Sequence, residues 1–307
     1  MRFAAFVRLL ILFAAGLAPF AYAQDLTVAS FNVESGGADP ATLGQDLRRI
    51  PITDVWGFSE VRNASWAQSF DTSLTSAGND YETILGTTGG EDRLLIVFNS
   101  TRLERVSNEE LSTINIGGNG RAPLVARFRR RNGGEEFLFV VNHLFRGNAA
   151  GRRQQATALN AWAATQTLPV IAVGDYNFDW NLPNGETSHD PGFDNMVANG
   201  VFRWVRPATL IKTQCDPNFN SVLDFVFVAG PAQNWQGTSE ILFQEPSYCP
   251  DDNRHSDHRP IRAAFTFSNV PQPEEESDFD ALLLQRIEAI ERQLEELKQM
   301  IRDRPPQ

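Results

Sequence analysis

The chain has 307 residues, of which 42% are hydrophobic and 21% charged, so one large domain with a substantial core and a tail fits its length. Its 38 acidic residues against 27 Lys and Arg give a formal charge of −11, which argues against a protein that holds nucleic acid by general basicity, since phosphate contacts dominate such affinity. No Cys or His cluster has zinc-finger spacing, which excludes a structural zinc site of that kind.

The first 23 residues read as a secretory signal. Arg2 and Arg8 give a positive start, Leu9 to Phe20 is apolar, and Ala21-Tyr22-Ala23 is a small-residue cleavage site. Cleavage after Ala23 leaves 25 basic and 38 acidic residues, a formal charge of −13. A secreted or periplasmic protein is expected, with no later apolar run long enough to span a bilayer.

From residue 24 to 268 the chain alternates apolar strand-like runs with turns and a few helices. Strands are expected over 26–33, 55–61, 81–86, 94–99, 123–130, 135–144, 168–176, 222–228 and 260–267, and helices over 40–50, 65–77, 152–165 and near 191–198. Asn132-Gly133 marks a hairpin between the fifth and sixth of these strands. Runs such as 168–173 and 137–141 are apolar on both faces, as in sheets covered on both sides. The pattern is α+β, two packed sheets with outer helices.

Short polar motifs end the apolar runs: Phe31-Asn32-Val33, Ser59-Glu60-Val61, Asn142-His143-Leu144, Gly174-Asp175-Tyr176-Asn177 and Ser256-Asp257-His258-Arg259-Pro260, with Asp224 inside Leu223-Asp224-Phe225. Asn32, Glu60, Asp175, Asn177 and Asp257 supply the oxygen donors that hard divalent cations take. His143 and His258 titrate near neutral pH and are the candidate proton carriers. Singly, each motif reads as a turn or a satisfied buried acid; together, in this order, they are the parts of a phosphoester-cleaving site.

With those motifs the chain resembles the endonuclease/exonuclease/phosphatase superfamily over roughly residues 25–268. The resemblance implies a four-layer αββα sandwich of two mixed sheets. It implies Asn32 and Glu60 as metal-side ligands, Asp257 as a further metal-side carboxylate, Asp175 and Asn177 around the attacking water and phosphate, and Asp224 as the partner orienting His258. His143 matches the deoxyribonuclease-like and sphingomyelinase-like members, where abasic-site enzymes carry Tyr. Asp92, or less readily Glu91, stands where an acid would orient His143. The implied cofactor is Mg2+, with Mn2+ or Ca2+ as alternatives.

His258 with Asp224 is assigned as base and His143 as acid, the reverse and Asp175 as base staying open. The expected function is a secreted magnesium-dependent phosphodiesterase, a nuclease in the leading reading. The alternatives are a lipid or small-molecule phosphohydrolase, sphingomyelinase-like or a phosphatase, and more remotely a non-catalytic oligomeric adaptor. Arg146, Arg152 and Arg153, just after His143, are expected to form a phosphate-facing rim. Cys215 and Cys249 are expected to pair in an oxidising compartment, closing a loop around Asp224 worth roughly 3–4 kcal/mol in the chain-entropy description.

Residues 269–279, with Pro271, Pro273 and a run of acids, read as a linker. A helix follows over 280–303. Leu283, Ile287, Ile290, Leu294, Leu297 and Ile301 recur at heptad spacing, a seam short of three heptads that is expected to pair with a sister chain.

Overall fold

A computed structural model describes residues 26–249 and 252–267, and residues 287, 292, 298 and 299, which are helical. The expected signal segment and linker lie outside the described residues, as does the remainder of the expected heptad helix. Among the described residues no helix is long and apolar enough to cross a membrane.

Among the described residues, twelve strands form two six-stranded sheets. The first has the order β11 (Gln236–Ile241), β12 (Ile261–Thr266), β1 (Leu26–Asn32), β2 (Val55–Val61), β4 (Arg93–Asn99), β3 (Tyr81–Leu85). The second runs β5 (Leu103–Glu110), β6 (Leu124–Arg130), β7 (Glu136–His143), β8 (Val170–Asn181), β10 (Ser221–Ala229), β9 (Phe202–Trp204). Each is mixed: β1 and β2 are parallel, β7 and β8 are parallel, and the other pairings are antiparallel.

Three helices start where the sequence supplies caps. Asp39 accepts hydrogen bonds from Ala41 N and Thr42 N, and Pro40 opens α1 (Pro40–Arg49). Asn63 caps α2 (Ala64–Leu74) and Asn148 caps α3 (Ala149–Ala164). A short α4 (Gly192–Val197) follows. Leu43 and Leu47 of α1 and Trp66 and Phe70 of α2 bury against Ala29, Phe31, Trp56, Phe58, Leu95 and Val97, the outer face of the first sheet. Ala156 and Leu159 of α3 and Phe193 of α4 pack with the second sheet. The layers are helix, sheet, sheet, helix, the αββα sandwich expected from the motifs.

Strand alternation explains which residues meet between the sheets. Gly57 lies in that interface: a Cβ there would come within 2.7 Å of both Val141 and Val173. Val141 therefore faces inward, and so do Phe137, Phe139 and His143 at the same parity along β7. On β8, Asp175 shares the parity of Ile171 and Val173. The opposite face of β8 and β10 carries Tyr176, Phe178, Phe225 and Phe227; the three phenylalanines pack on Phe193 of α4, Phe225 also on Trp204 of β9, and Tyr176 on Phe227.

Three strands lack the expected apolar signature. β5 reads LERVSNEE and is a largely exposed edge; β9 has three residues, and β11, QGTSEI, is a half-exposed edge. Edge strands bury little, so their sequences stay polar. β8 also runs five residues past its expected end, because Phe178 and Trp180 continue the aromatic face. The Asn132-Gly133 hairpin forms with Gly133 and Gly134 at φ 105° and 77°, a conformation that favours glycine. Cys215 and Cys249 form a disulfide with Cα atoms 5.0 Å apart, tying the loop before β10 to the loop before β12.

Candidate active site

At one end of the sandwich the apolar interface between the sheets gives way to polar side chains. Three of them are brought level by strand register: His143 of β7 lies opposite Asp175 of β8, and Asp224 of β10 lies opposite Asp175 from the other side. From the facing sheet come Asn32, which ends β1, and Glu60, near the end of β2. The loop into β12 adds Asp257 and His258. Ser256 Oγ donates to Asn32 O at 2.6 Å and accepts from His258 N at 3.0 Å, which fixes this loop against β1.

Asp175 is the hub. Its Oδ2 accepts from Asn32 Nδ2 at 3.1 Å and lies 3.5 Å from His143 Nε2 and 3.8 Å from His258 Nε2. Asn32 Nδ2 also donates to Glu60 Oε1 at 2.9 Å. His258 is held through Nδ1 by Asp224 Oδ2 at 2.8 Å, and its Nε2 lies 4.0 Å from Asp257 Oδ1. Asn177 donates its backbone N–H to Asp175 Oδ1 at 2.9 Å and its side-chain amide to Leu144 O at 3.1 Å. All eight residues carried by the resemblance, Asn32, Glu60, His143, Asp175, Asn177, Asp224, Asp257 and His258, thus converge.

Two of them sit on strained backbone. Glu60 has φ 60° and Asn177 has φ 53°, the left-handed region that non-glycine residues rarely adopt. For Glu60 the reason is visible. Simple alternation along β2 would put it on the helix face with Trp56 and Phe58. The register against β4 shifts between Phe58 and Val61, and this bulge turns Glu60 into the cleft while Val61 takes the helix-facing place. Gly174, at φ 144°, lets β8 approach β7 so closely that a Cβ there would lie 1.9 Å from Asn142 O.

Burial disfavours charge on Asp175 and raises its pKa, with His143 and His258 opposing. Burial first and the Arg121 charge second lower His143 to about 4, against Asp175 and Glu60. For His258 burial also opposes the charge. The charge and hydrogen bond of Asp224, with Asp175 and Asp257 behind them, outweigh it and raise His258 to about 10. In the cation-free protein His258 is therefore the charged imidazole and His143 the neutral one.

His143 Nδ1 faces Asp92 Oδ1 at 3.5 Å, which selects Asp92 over Glu91 as its neighbour; Glu91 instead pairs with Arg62 at 3.3 Å. Asp92 is engaged on its other oxygen by Arg121 Nη1, and Arg121 Nε donates to His143 O at 3.2 Å. Burial raises Asp92 to about 6 against the Arg121 charge. No sequence motif includes Arg121. Nor does one include Glu34, whose Oε2 accepts from Asp257 N at 3.0 Å; its backbone N–H donates to Asn32 Oδ1.

The donor set suits a hard divalent cation. Glu60 Oε1 and Asp175 Oδ2 converge on one amide nitrogen, Asn32 Nδ2, so a positive charge there would satisfy both carboxylates and relieve the buried one. Ligand atoms of Glu60, Asp92 and His143 also lie within 4.8 Å of one another, a second arrangement that shares Glu60. No Cys takes part, consistent with oxygen-preferring cations.

The expected arginine rim is only partly there. Arg146 is exposed just beyond His143. Arg153 is exposed but reaches Asp190 at 3.2 Å. Arg152 is a correction: it is 5% exposed, pairs with Asp190 at 2.7 Å, and donates to Phe145 O and Arg146 O, each at 2.8 Å. Four residues into α3 from its cap, it turns inward to clamp the loop rather than outward to a phosphate. Farther off, Arg127, Arg129 and Arg130 pair with Glu136, Glu104 and Glu135. We expect Arg152→Ala to cost about 3–5 kcal/mol by leaving Asp190 buried without its main partner. Urea unfolding measures it; a loss below about 1 kcal/mol would reject the clamp.

His189 and His255 lie elsewhere. His189 stacks on Trp180 and bonds Asp194, and His255 bonds Asp252.

A model of the Endonuclease/Exonuclease/phosphatase family matches residues 29–258. No curated protein matches the chain significantly. Solved structures resemble it at low identity, which speaks to fold alone. An endonuclease/exonuclease/phosphatase family protein from Bacteroides thetaiotaomicron is 19% identical with a TM-score of 0.61, covering 80% of this chain and 95% of its own. A mannosyl-6-phosphatase of Bacteroides thetaiotaomicron VPI-5482 is 19% identical with a TM-score of 0.58, covering 79% and 100%. TDP2 of D. rerio, complexed with a single strand DNA product, is 17% identical with a TM-score of 0.62, covering 79% and 99%.

Proposed function

The chain belongs to the endonuclease/exonuclease/phosphatase family and is a metal-dependent phosphoric ester hydrolase, and from that premise we propose that it is a magnesium-dependent phosphodiesterase acting on nucleic acid. The observation that carries the reading is the pair of buried imidazoles whose Nε2 atoms approach one carboxylate oxygen, Asp175 Oδ2, at 3.5 and 3.8 Å. Cleaving a diester by water needs one proton removed from the nucleophile and one delivered to the leaving sugar oxygen. Two histidines either side of a shared carboxylate provide both.

Asn32 and Glu60, with Asp257 nearby, would hold the cation, which when bound supplies Lewis-acid neutralisation of a non-bridging phosphate oxygen. In this reading the neutral His143 takes the proton from the water and the charged His258 gives its own to the leaving oxygen, the reverse of the first assignment and the alternative that the sequence left open. Asp224 fixes His258 Nδ1 and holds the imidazolium, leaving Nε2 to face the reacting groups. Asp175 with Asn177 orients the water and phosphate between the rings.

The disulfide between Cys215 and Cys249 suits an oxidising compartment. With the Ala21-Tyr22-Ala23 cleavage site it supports a secreted or periplasmic location.

A second reading is favoured by charge. With Arg152 buried and the β6 arginines paired to glutamates, the rim is less cationic than a nucleic-acid groove usually is. A smaller phosphoester, lipid or sugar-linked, needs no such groove. Plasmid DNA, RNA, sphingomyelin, bis-p-nitrophenyl phosphate and a sugar monophosphate, each with magnesium, separate the two. Nucleic-acid turnover at least about tenfold above the lipid and the monophosphate is expected; the opposite ranking selects the second reading. Excess EDTA should lower turnover of whichever substrate is used by at least about 10²-fold, since the oxygen donors leave phosphate charge to the cation. Full activity in EDTA rejects the metal requirement.

A further inference from the structure

We propose that Glu110, at the exposed end of β5, is a positioning residue for His143: it locks the 86–92 loop so that Asp92 and Arg121 hold the imidazole in place. The inference rests on the reading of His143 as a proton carrier.

The 86–92 loop, Gly86-Thr87-Thr88-Gly89-Gly90-Glu91-Asp92, joins β3 to β4 and presents Asp92 to His143. It has three glycines, two of them at φ 95° and 65°, so its backbone is free to take many conformations unless something fixes it. Its local closures are Gly86 N to Leu94 O at 2.8 Å, Asp92 N to Gly89 O at 2.9 Å and Arg93 Nε to Gly90 O at 2.7 Å, and none of them engages Thr87 or Thr88.

Glu110 supplies the anchor. Its Oε1 accepts from Thr87 N at 3.1 Å, Thr88 N at 3.1 Å and Thr88 Oγ1 at 2.6 Å, and its Oε2 accepts from Thr87 Oγ1. One carboxylate thus takes two backbone and two hydroxyl donors from consecutive residues. These bonds hold its pKa below the ordinary value although partial burial opposes them.

Thr88 passes the hold inward. Its hydroxyl, donating to Glu110, accepts from Ala122 N at 2.9 Å. Ala122 follows Arg121, whose guanidinium engages Asp92 and the His143 carbonyl. Glu110 therefore fixes both arms around the ring, the loop bearing Asp92 and the strand entry bearing Arg121.

The leverage lies in the last gap. His143 Nδ1 and Asp92 Oδ1 are 3.5 Å apart, and both atoms are buried without a hydrogen-bond partner. A shift of about half an ångström decides whether that bond forms.

The test compares Glu110→Ala and Glu110→Gln in the native and Asp92→Ala backgrounds, with magnesium and bis-p-nitrophenyl phosphate. Glu110→Ala should lower kcat about tenfold with KM changed less than about twofold, because a displaced catalytic group costs rate rather than binding. Glu110→Gln keeps the oxygen that takes three of the four bonds and should recover most of the rate. In the Asp92→Ala background Glu110→Ala should cost less than about twofold, since the two act through one contact. In metal-free protein the ring Nδ1 proton resonance of His143 should be lost or shifted alike in Glu110→Ala and Asp92→Ala.

An equal loss in both backgrounds, no loss in kcat, or an unchanged His143 resonance in Glu110→Ala would overturn the proposal. If Asp92→Ala itself keeps full turnover, the contact with Asp92 does not set the rate and the proposal is overturned; His143→Ala decides separately whether His143 carries a proton.

Discussion

Replacing His258 by Ala is expected to lower turnover by roughly 10²–10⁴-fold, the range for a lost acid–base group; the protein should still fold, with a lower unfolding midpoint because Asp224 is left buried without its partner. The ring makes one strong side-chain bond, to Asp224 at 2.8 Å, and its Nε2 points at the hub carboxylate. Asp175→Ala and His143→Ala should fall as far. Combining any two should cost much less than the product of the single losses, because groups acting as a unit are not additive.

Asp224→Asn is the informative companion. It nearly preserves shape, but the amide can no longer hold the proton that His258 carries, so most of the His258→Ala loss should reappear. Steady-state rates on bis-p-nitrophenyl phosphate, with circular dichroism to confirm folding, make the comparison. Losses of tenfold or less for His258, His143 and Asp175 together would place the chemistry elsewhere.

Gly174→Ala should damage both stability and activity. The added Cβ would lie 1.9 Å from Asn142 O and 2.8 Å from Asn142 C, and the residue sits at φ 144°. These are backbone atoms, so no rotamer change relieves the clash, and β7 and β8 must move apart. We expect a cost of at least about 3 kcal/mol, from overpacking plus a backbone conformation L-residues avoid.

Gly57→Ala is the control. Its Cβ would meet the side chains of Val141 and Val173 at 2.7 Å, groups that can adjust, and its cost should stay within about 1–3 kcal/mol. Because Gly174 lies between Asn142-His143 on one strand and Asp175 on its own, Gly174→Ala should also lower turnover under conditions where it remains folded. Urea unfolding and native-state rates measure the two effects. A cost below about 1 kcal/mol with near-normal turnover would show that the strands have slack there.

Much of this was legible in the chain itself. Runs such as 26–33, 55–61 and 137–141 are too apolar to lie anywhere but inside, so strand positions follow from hydrophobicity. The motif residues are recognisable because carboxylates, amides and histidines at the ends of such runs are costly to bury without a purpose. Export and a disulfide were expected from the N-terminal pattern and the two cysteines, and the structure joins Cys215 to Cys249.

Other features depend on partners distant in sequence. Arg152 and Arg146 look alike in a basic stretch; only Asp190, 38 residues away, decides that Arg152 is drawn inward. Glu110 belongs to a polar strand with no motif, and its role exists only because Thr87 and Thr88 fold against it. Alternation along β2 would send Glu60 to the helix face, and the bulge against β4 reverses that. The sequence by itself pointed to the residues proposed to carry the chemistry and to the runs that form the core, because burial and residue type are local properties. Tertiary structure alone decided how those residues face one another, because register, bulges and close strand approach are set by pairing between segments that no local pattern encodes.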